Sequence, residues 1–336
     1  MKEMRKSRNQ TLDLFKFVAS FSVVCIHYMF YGVTGEIVRA LSRFAVPFFF
    51  AISGYFAYGN DTIRIWRKTK RILFVYIGSF LLYFCYSSFK YILSGKTLLE
   101  YFLSYLSESA IFNFLILNIT VSSAHLWFLP ALIYCYLIYL LCNRGKIPEK
   151  VMVIVPLLLM IFYVIAEEFL PIFTLQLPKY IYSNVLFRAF PCFMLGFAVK
   201  KYKDFLKEKI SANISFTILI VGIIETVLSV LLFGNSITYL GSMLITISLL
   251  LLAVKYEHKT YNKVLVKLSG YSMFVYVFHV CVGGTLQTIL DYIGIGDKML
   301  WINAKPLVVF ILTVLLSVII ECVLRCIKRN RNCLQH

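Results

Sequence analysis

Residues 11 to 31, TLDLFKFVASFSVVCIHYMFY, form an apolar stretch that as a helix, at about 1.5 Å per residue, would cross roughly 30 Å of hydrocarbon. Lipid offers no water to unpaired backbone groups, so a chain containing such stretches folds into helices or a closed barrel. The polar residues in this stretch are periodic. Asp13, Lys16, Ser20 and His27 share one face to within about one residue, because steps of three, four and seven return to the same side of a helix. Ionisable groups are costly in lipid, so this face needs a protein partner or water. Lys16 and His27 lie about 16 Å apart along the helix and cannot grip the same few atoms. Two readings are open for each: Lys16 snorkels to the inner headgroups or lines a route through the bundle, and His27 is an interior hydrogen-bonding residue or a reactive base.

Composition extends this reading to the whole chain. Of 336 residues, 60% are apolar and only 15% charged, which places the chain with polytopic helix bundles rather than soluble domains. The formal charge of +18 would suit nucleic acid, but its distribution excludes that partner. Of the 34 Lys and Arg, 25 lie in the two tails and in alternate connections around 60 to 71, 143 to 150, 200 to 209 and 255 to 267. This is the positive-inside pattern of a multi-pass protein of the cell inner or cytoplasmic membrane with both termini cytoplasmic. The nine cysteines show neither a disulfide framework nor a CxxC pair, and no metal site is expected. The first stretch has a basic start but no small-x-small cleavage site, and it is read as retained.

Ten crossings are expected. They lie in a single domain over 11 to 327, flanked by basic cytoplasmic tails at 1 to 10 and 328 to 336. The second, from about Phe44 to Tyr58, is interrupted by Pro47, Ser53 and Gly54, as in a kinked or broken helix with a close-contact point. Arg43 at its outer end is a substrate anchor or an interfacial charge. The connection GNDTIRIWRKTKR brings Arg64, Arg67, Lys68, Lys70 and Arg71 to the inner face, against lipid headgroups or the phosphates of a soluble donor. Glu100 and Glu108 interrupt residues 96 to 124, which are read as an outer-face amphipathic or re-entrant segment. His125 and Trp127 open the next crossing. Arg188 and Pro191 lie in a later one, Glu225 lies inside another, and Ser272, Tyr276 and His279 share a helix face. Glu225 could pair with Arg188, His27 or His125.

These stretches in order resemble the acyltransferase-3 family of integral membrane acyltransferases over nearly the whole chain. They are Lys16 and His27, PFFFAISGYF from Pro47, WRKTKRI at 66 to 72, HLWFLPAL at 125 to 132, FRAFPCFMLG at 187 to 196 and SMFVYVFH at 272 to 279. The resemblance implies transfer of an acyl group, typically acetyl from acetyl-CoA, to a hydroxyl of a cell-envelope sugar or lipid-linked glycan. Lys16 stands where the family more often has arginine, which keeps the charge but loses the bidentate fork. The proline that often follows the Arg-Ile pair is absent. RFAVPFFFAISGYF, HLWFLPAL and Ile224-Glu225 also look like the membrane part of the membrane-bound serine racemases of vancomycin resistance, which is associated with amino-acid uptake. Those proteins carry a soluble racemase domain after the bundle. The chain ends after its last helix, so racemase activity is not expected.

Acyl transfer from a thioester needs a base at the hydroxyl, stabilisation of the developing oxyanion and shelter from water. His27 is the expected base, oriented by Glu225. Arg67, Lys68 and Arg71 would hold donor phosphates, with Lys16 along the route of the acyl arm. Arg43, Ser53, His125, Trp127, Arg188, Ser272, Tyr276 and His279 would line the acceptor pocket. The rival function is a transporter of an amino acid or an envelope precursor, which needs no donor site.

Overall fold

In the computed structural model the described residues run from 8 to 333, so the basic tails expected at 1 to 10 and 328 to 336 lie partly outside the described residues. Among them there is no strand: the protein is all-α. In chain order the longer helices are α1 (Gln10–His27), α2 (Gly32–Ser42), α3 (Ala45–Tyr55), α4 (Thr62–Leu93), α5 (Phe128–Arg144), α6 (Glu149–Val164), α7 (Phe190–Lys201), α8 (Ala212–Phe233), α9 (Leu240–Lys255), α10 (Ser272–Tyr292) and α11 (Met299–Cys333).

Seven helical stretches among the described residues are long and apolar enough to cross a membrane: Gly32–Tyr55, Thr62–Leu93, Ala124–Arg144, Glu149–Ile172, Ala212–Phe233, Lys263–Tyr292 and Met299–Ile327. The other three expected crossings are weaker for identifiable reasons. Asp13, Lys16 and His27 dilute the apolar character of α1. The stretch from Tyr182 to Val199 breaks at Ser183 and Ala189, which leaves a four-residue turn, Val185–Arg188, before the 12-residue α7. The helix α9 has only 16 residues. Residues 96 to 124 form the short helices Leu98–Tyr105 and Glu108–Phe112, a π turn at Asn113–Leu117 and a loop, not one spanning helix.

Two local expectations are corrected. The second span begins earlier than Phe44: its helix starts at Gly32 and is broken at Arg43 and Phe44. Pro47 then falls in the first turn of α3, where its missing N–H would have had no helical acceptor anyway, so it starts a helix rather than kinking one. The basic connection is not a loop. Asp61 caps α4 by accepting the Arg64 N–H at 2.7 Å, and with Leu73, Phe74 and Val75 where a proline would have broken the ladder, the helix continues to Leu93.

The chain divides into two compact units, residues 1–45 with 252–336 and residues 46–251. In the first, α1, α10 and α11 pack through Val24, Val275 and Val309, and the ring of Phe310 meets Phe17 and Phe21 edge-on at 5.5 and 5.2 Å. Side chains fasten the start of α1. Asn9 donates to the Ala253 carbonyl, Thr11 donates to that of Tyr256, and Gln10 accepts from the Tyr261 N–H, at 2.7 to 2.8 Å. In the second unit, α3 and α7 touch backbone to backbone. A Cβ at Gly54 would lie 1.7 Å from the Phe193 carbonyl oxygen, and one at Gly196 would lie 1.7 Å from that of Ala51. Small residues at such crossings replace the hydrophobic drive that lipid cannot supply.

Candidate functional site

In the first unit the polar face of α1 is divided between two tasks. Asp13 is 3% exposed and is held between Arg8 and Lys16, with the Lys16 ammonium 2.6 Å from its carboxylate. The buried acid thus pairs with the cation expected along the route of the acyl arm. Asp13→Asn should cost about 2 kcal/mol of stability, because two charge-assisted partners lose their acceptor, and Asp13→Glu should recover most of it. Thermal unfolding of the detergent-solubilised protein checks both. Ser272 donates to the carbonyls of Ser269 at 2.7 Å and Lys16 at 3.4 Å, so it joins α10 to α1.

At the other end of α1, His27 and His279 lie ring against ring, with centroids 5.0 Å apart and planes inclined at 53°. His279 is fully buried. Its Nδ1 lies 2.9 Å from the carbonyls of both Val275 and Tyr276, which accept only if Nδ1 carries the proton. In the neutral form of the ring this tautomer makes Nε2 the acceptor nitrogen. Tyr276 contributes its backbone here, and Arg43 occupies the turn after α2, its N–H donating to the Ala40 carbonyl.

His27 is exposed, and the space it faces is a cavity of about 480 Å³ lined also by Tyr28, Tyr31, Arg39, Gln287 and Lys305. Gln287 organises one wall. Its Oε1 accepts from Lys305 Nζ at 2.6 Å and from the Trp301 indole at 3.1 Å, and its Nε2 donates to Asp291 at 2.6 Å. Lys305 stands over the Tyr28 ring at 4.7 Å, and the Tyr28 hydroxyl donates to the Val280 carbonyl. Arg39 donates to Met29 Sδ at 3.2 Å. Arg39, Gln287 and Lys305 were not among the sequence-derived candidates. The available signal was that Arg39 and Lys305 are among the few cations on the side where positive charge is scarce.

The second unit holds the remaining candidates. His125 is buried, its Nδ1 bonded to the Ser123 hydroxyl and its ring edge-on to Tyr83 at 4.7 Å. The Arg188 guanidinium stacks on Trp127 at 3.8 Å, with Phe50 packed against the indole at 5.8 Å. Ser53 donates to the Phe49 carbonyl of its own helix. Glu225 lies within this unit: it accepts from the Gly241 N–H at 2.6 Å and sits beside Glu168, which accepts from Ser229 and the Leu240 N–H. The two acids thus cap the start of α9, where unpaired N–H groups favour anions. On α4, Arg64, Arg67, Lys68 and Arg71 occupy one face in steps of three and four. Lys68 donates to the Phe56 carbonyl, and beside it Lys200 lies over the Tyr55 ring at 4.8 Å. Among the described residues no three His, Cys, Asp or Glu are grouped to hold a metal ion.

A family model described as an acyltransferase domain matches residues 9–326. An amino-acid racemase of Enterococcus faecalis is 32% identical over 139 residues, which is 38% of this chain. The chain covers only 18% of the length of that relative. No solved structure matches.

Proposed function

The chain belongs to the acyltransferase family whose domain model spans residues 9–326, and from that premise we propose that it transfers an acyl group, acetyl in the first instance, to a hydroxyl of a cell-envelope sugar or lipid-linked glycan. The observation that carries this reading is the His27 and His279 pair at the edge of a polar cavity. The tilted ring contact with His279, whose Nδ1 is fixed by two carbonyls, holds the His27 ring at the cavity edge, where one of its nitrogens is the base. His279 thereby takes the orienting role expected of Glu225, which caps α9. His27 removes the acceptor hydroxyl proton as the oxygen–carbon bond forms, and returns it to the sulfur as the carbon–sulfur bond breaks. The thioester donor supplies the activated acyl carbon and the thiol leaving group.

The basic face of α4 suits the phosphates of a coenzyme A thioester: Arg64, Arg67 and Arg71 are exposed within about two helical turns, with the half-buried Lys68 between them and Lys200 at the neighbouring end of α7. Arg71→Ala should raise KM for acetyl-CoA about ten- to hundredfold with kcat little changed, the loss of one charge-assisted phosphate contact. We infer ten crossings with both termini cytoplasmic, in which α1, the 182 to 199 stretch and α9 join the seven long helices. The 25 cations in alternate connections and tails support this orientation.

The test is transfer of radiolabel from acetyl-CoA to cell-envelope material by membranes containing the protein. Incorporation that requires His27 is the expected result and yields the product from which the acceptor is identified. Folded protein that supports no incorporation, but takes up labelled amino acid into vesicles, overturns the reading.

A further inference from the structure

The cavity at His27 has a chemical bias beyond what acyl transfer requires. Arg39 and Lys305 both line it, and neither makes an ion pair with a carboxylate among the described residues. Arg39 Nε is buried without a hydrogen-bond partner there, and its only described side-chain bond is to a thioether, a weak acceptor. Lys305 donates to a neutral amide. The nearby acid, Asp291, accepts from the Gln287 Nε2 and does not line the cavity; its charge offsets that of Lys305 only in part, without a direct ion pair among the described residues. Gln287 therefore holds the ammonium in place without cancelling its charge. Two positive charges in a low-dielectric, half-enclosed space attract an anion far more strongly than they would in bulk water. A volume of about 480 Å³ is that of a site for one small ligand.

We propose that this cavity is an oxyanion-recognition subsite. It binds a phosphate or carboxylate carried by the acceptor and thereby sets the hydroxyl to be acylated against His27. The acceptor class is an acidic sugar, a sugar phosphate or a uronic acid, rather than a neutral one. The inference rests on the acyl-transfer reading for the role of His27, whereas binding of the anion does not depend on turnover.

The experiment is a thermal-shift and calorimetric titration of the full chain in nanodiscs with glucose 1-phosphate, glucuronate and glucose. It compares the wild type with Arg39→Gln, Lys305→Gln and the charge-conserving Lys305→Arg. At least one of the two acidic sugars should bind about tenfold or more tightly than glucose, with the preference weakening as salt rises. Both Gln variants should lose the preference and Lys305→Arg should retain much of it. Preference for glucose 1-phosphate alone identifies a phosphate acceptor, and preference for glucuronate alone identifies a carboxylate. Equal binding of glucose, no binding of any probe to folded wild type, or a preference untouched by both Gln changes overturns the subsite. Label transfer run in parallel separates the two claims. Anion preference without acyl transfer sinks the acyltransferase reading and leaves the subsite standing, whereas acyl transfer without anion preference does the reverse.

Discussion

Alanine in place of His27 is expected to lower acyl transfer by about 10²- to 10⁴-fold, the usual contribution of a positioned general base, or roughly 3 to 5 kcal/mol of transition-state stabilisation. The loss should fall on kcat, since the imidazole engages the acceptor proton as the new bond forms and adds little to ground-state binding. Folding should survive, because His27 ends α1 and faces open space, while the core contacts of that helix run through Val24 and the rings around Phe310. Removing the ring enlarges a cavity that already has room for a small molecule. Exogenous imidazole at millimolar concentration should therefore restore part of the rate to His27→Ala. A residue that merely packed the helix end would show no such rescue. Undiminished turnover in the variant would remove His27 from the chemistry and leave the cavity as a binding site only.

Much of this arrangement was legible in the sequence where it depended on local period, and illegible where it depended on distant pairing. The face of α1 with Asp13, Lys16 and His27 follows from a repeat of 3.6 residues. That Asp13 would be buried as the partner of Lys16 follows only from the structure, although the three-residue spacing permits it. The face shared by Ser272, Tyr276 and His279 was visible in the same way, but the meeting of His279 with His27 across some 250 residues was not. Charge patterning located the basic stretch after Asp61 and missed that it is helical, because a cluster of cations reads as a connection unless the cap and the unbroken apolar continuation are weighed together. The positive-inside pattern also hid Arg39 and Lys305. That pattern sorts loops by side and treats outer cations as interfacial, whereas the first unit turns these two into a cavity wall. Glu225 and Glu168 meet at one helix start, and no pairing rule brings two acids together, since what draws them there is the backbone of α9 rather than each other.

The largest effect on folding should come from Gly196. An alanine methyl there would sit 1.7 Å from the Ala51 carbonyl oxygen and 2.4 Å from its carbon, in contact with backbone rather than with a side chain that could rotate away. Relief requires α3 and α7 to separate by more than 1 Å, which weakens the dispersion contacts along the crossing, where Phe48, Phe50 and Phe193 are fully buried. Overpacking of this kind costs about 1 to 3 kcal/mol for one methyl, and Gly196→Leu should exceed that and abolish monodisperse protein. Gly78 supplies the control: it lies inside α4, where an added methyl would meet nothing within 4 Å, so Gly78→Ala should be neutral or slightly stabilising. Gly54→Ala meets the Phe193 carbonyl at the same 1.7 Å from the other side of the crossing. One separation of the two helices would relieve both clashes, so the double variant Gly54→Ala with Gly196→Ala should cost clearly less than the sum of its parts. Unfolding midpoints of the wild type, the two single variants and the double variant in detergent decide the matter. Strict additivity would mean that the two clashes relax independently and that α3 and α7 do not move as rigid bodies.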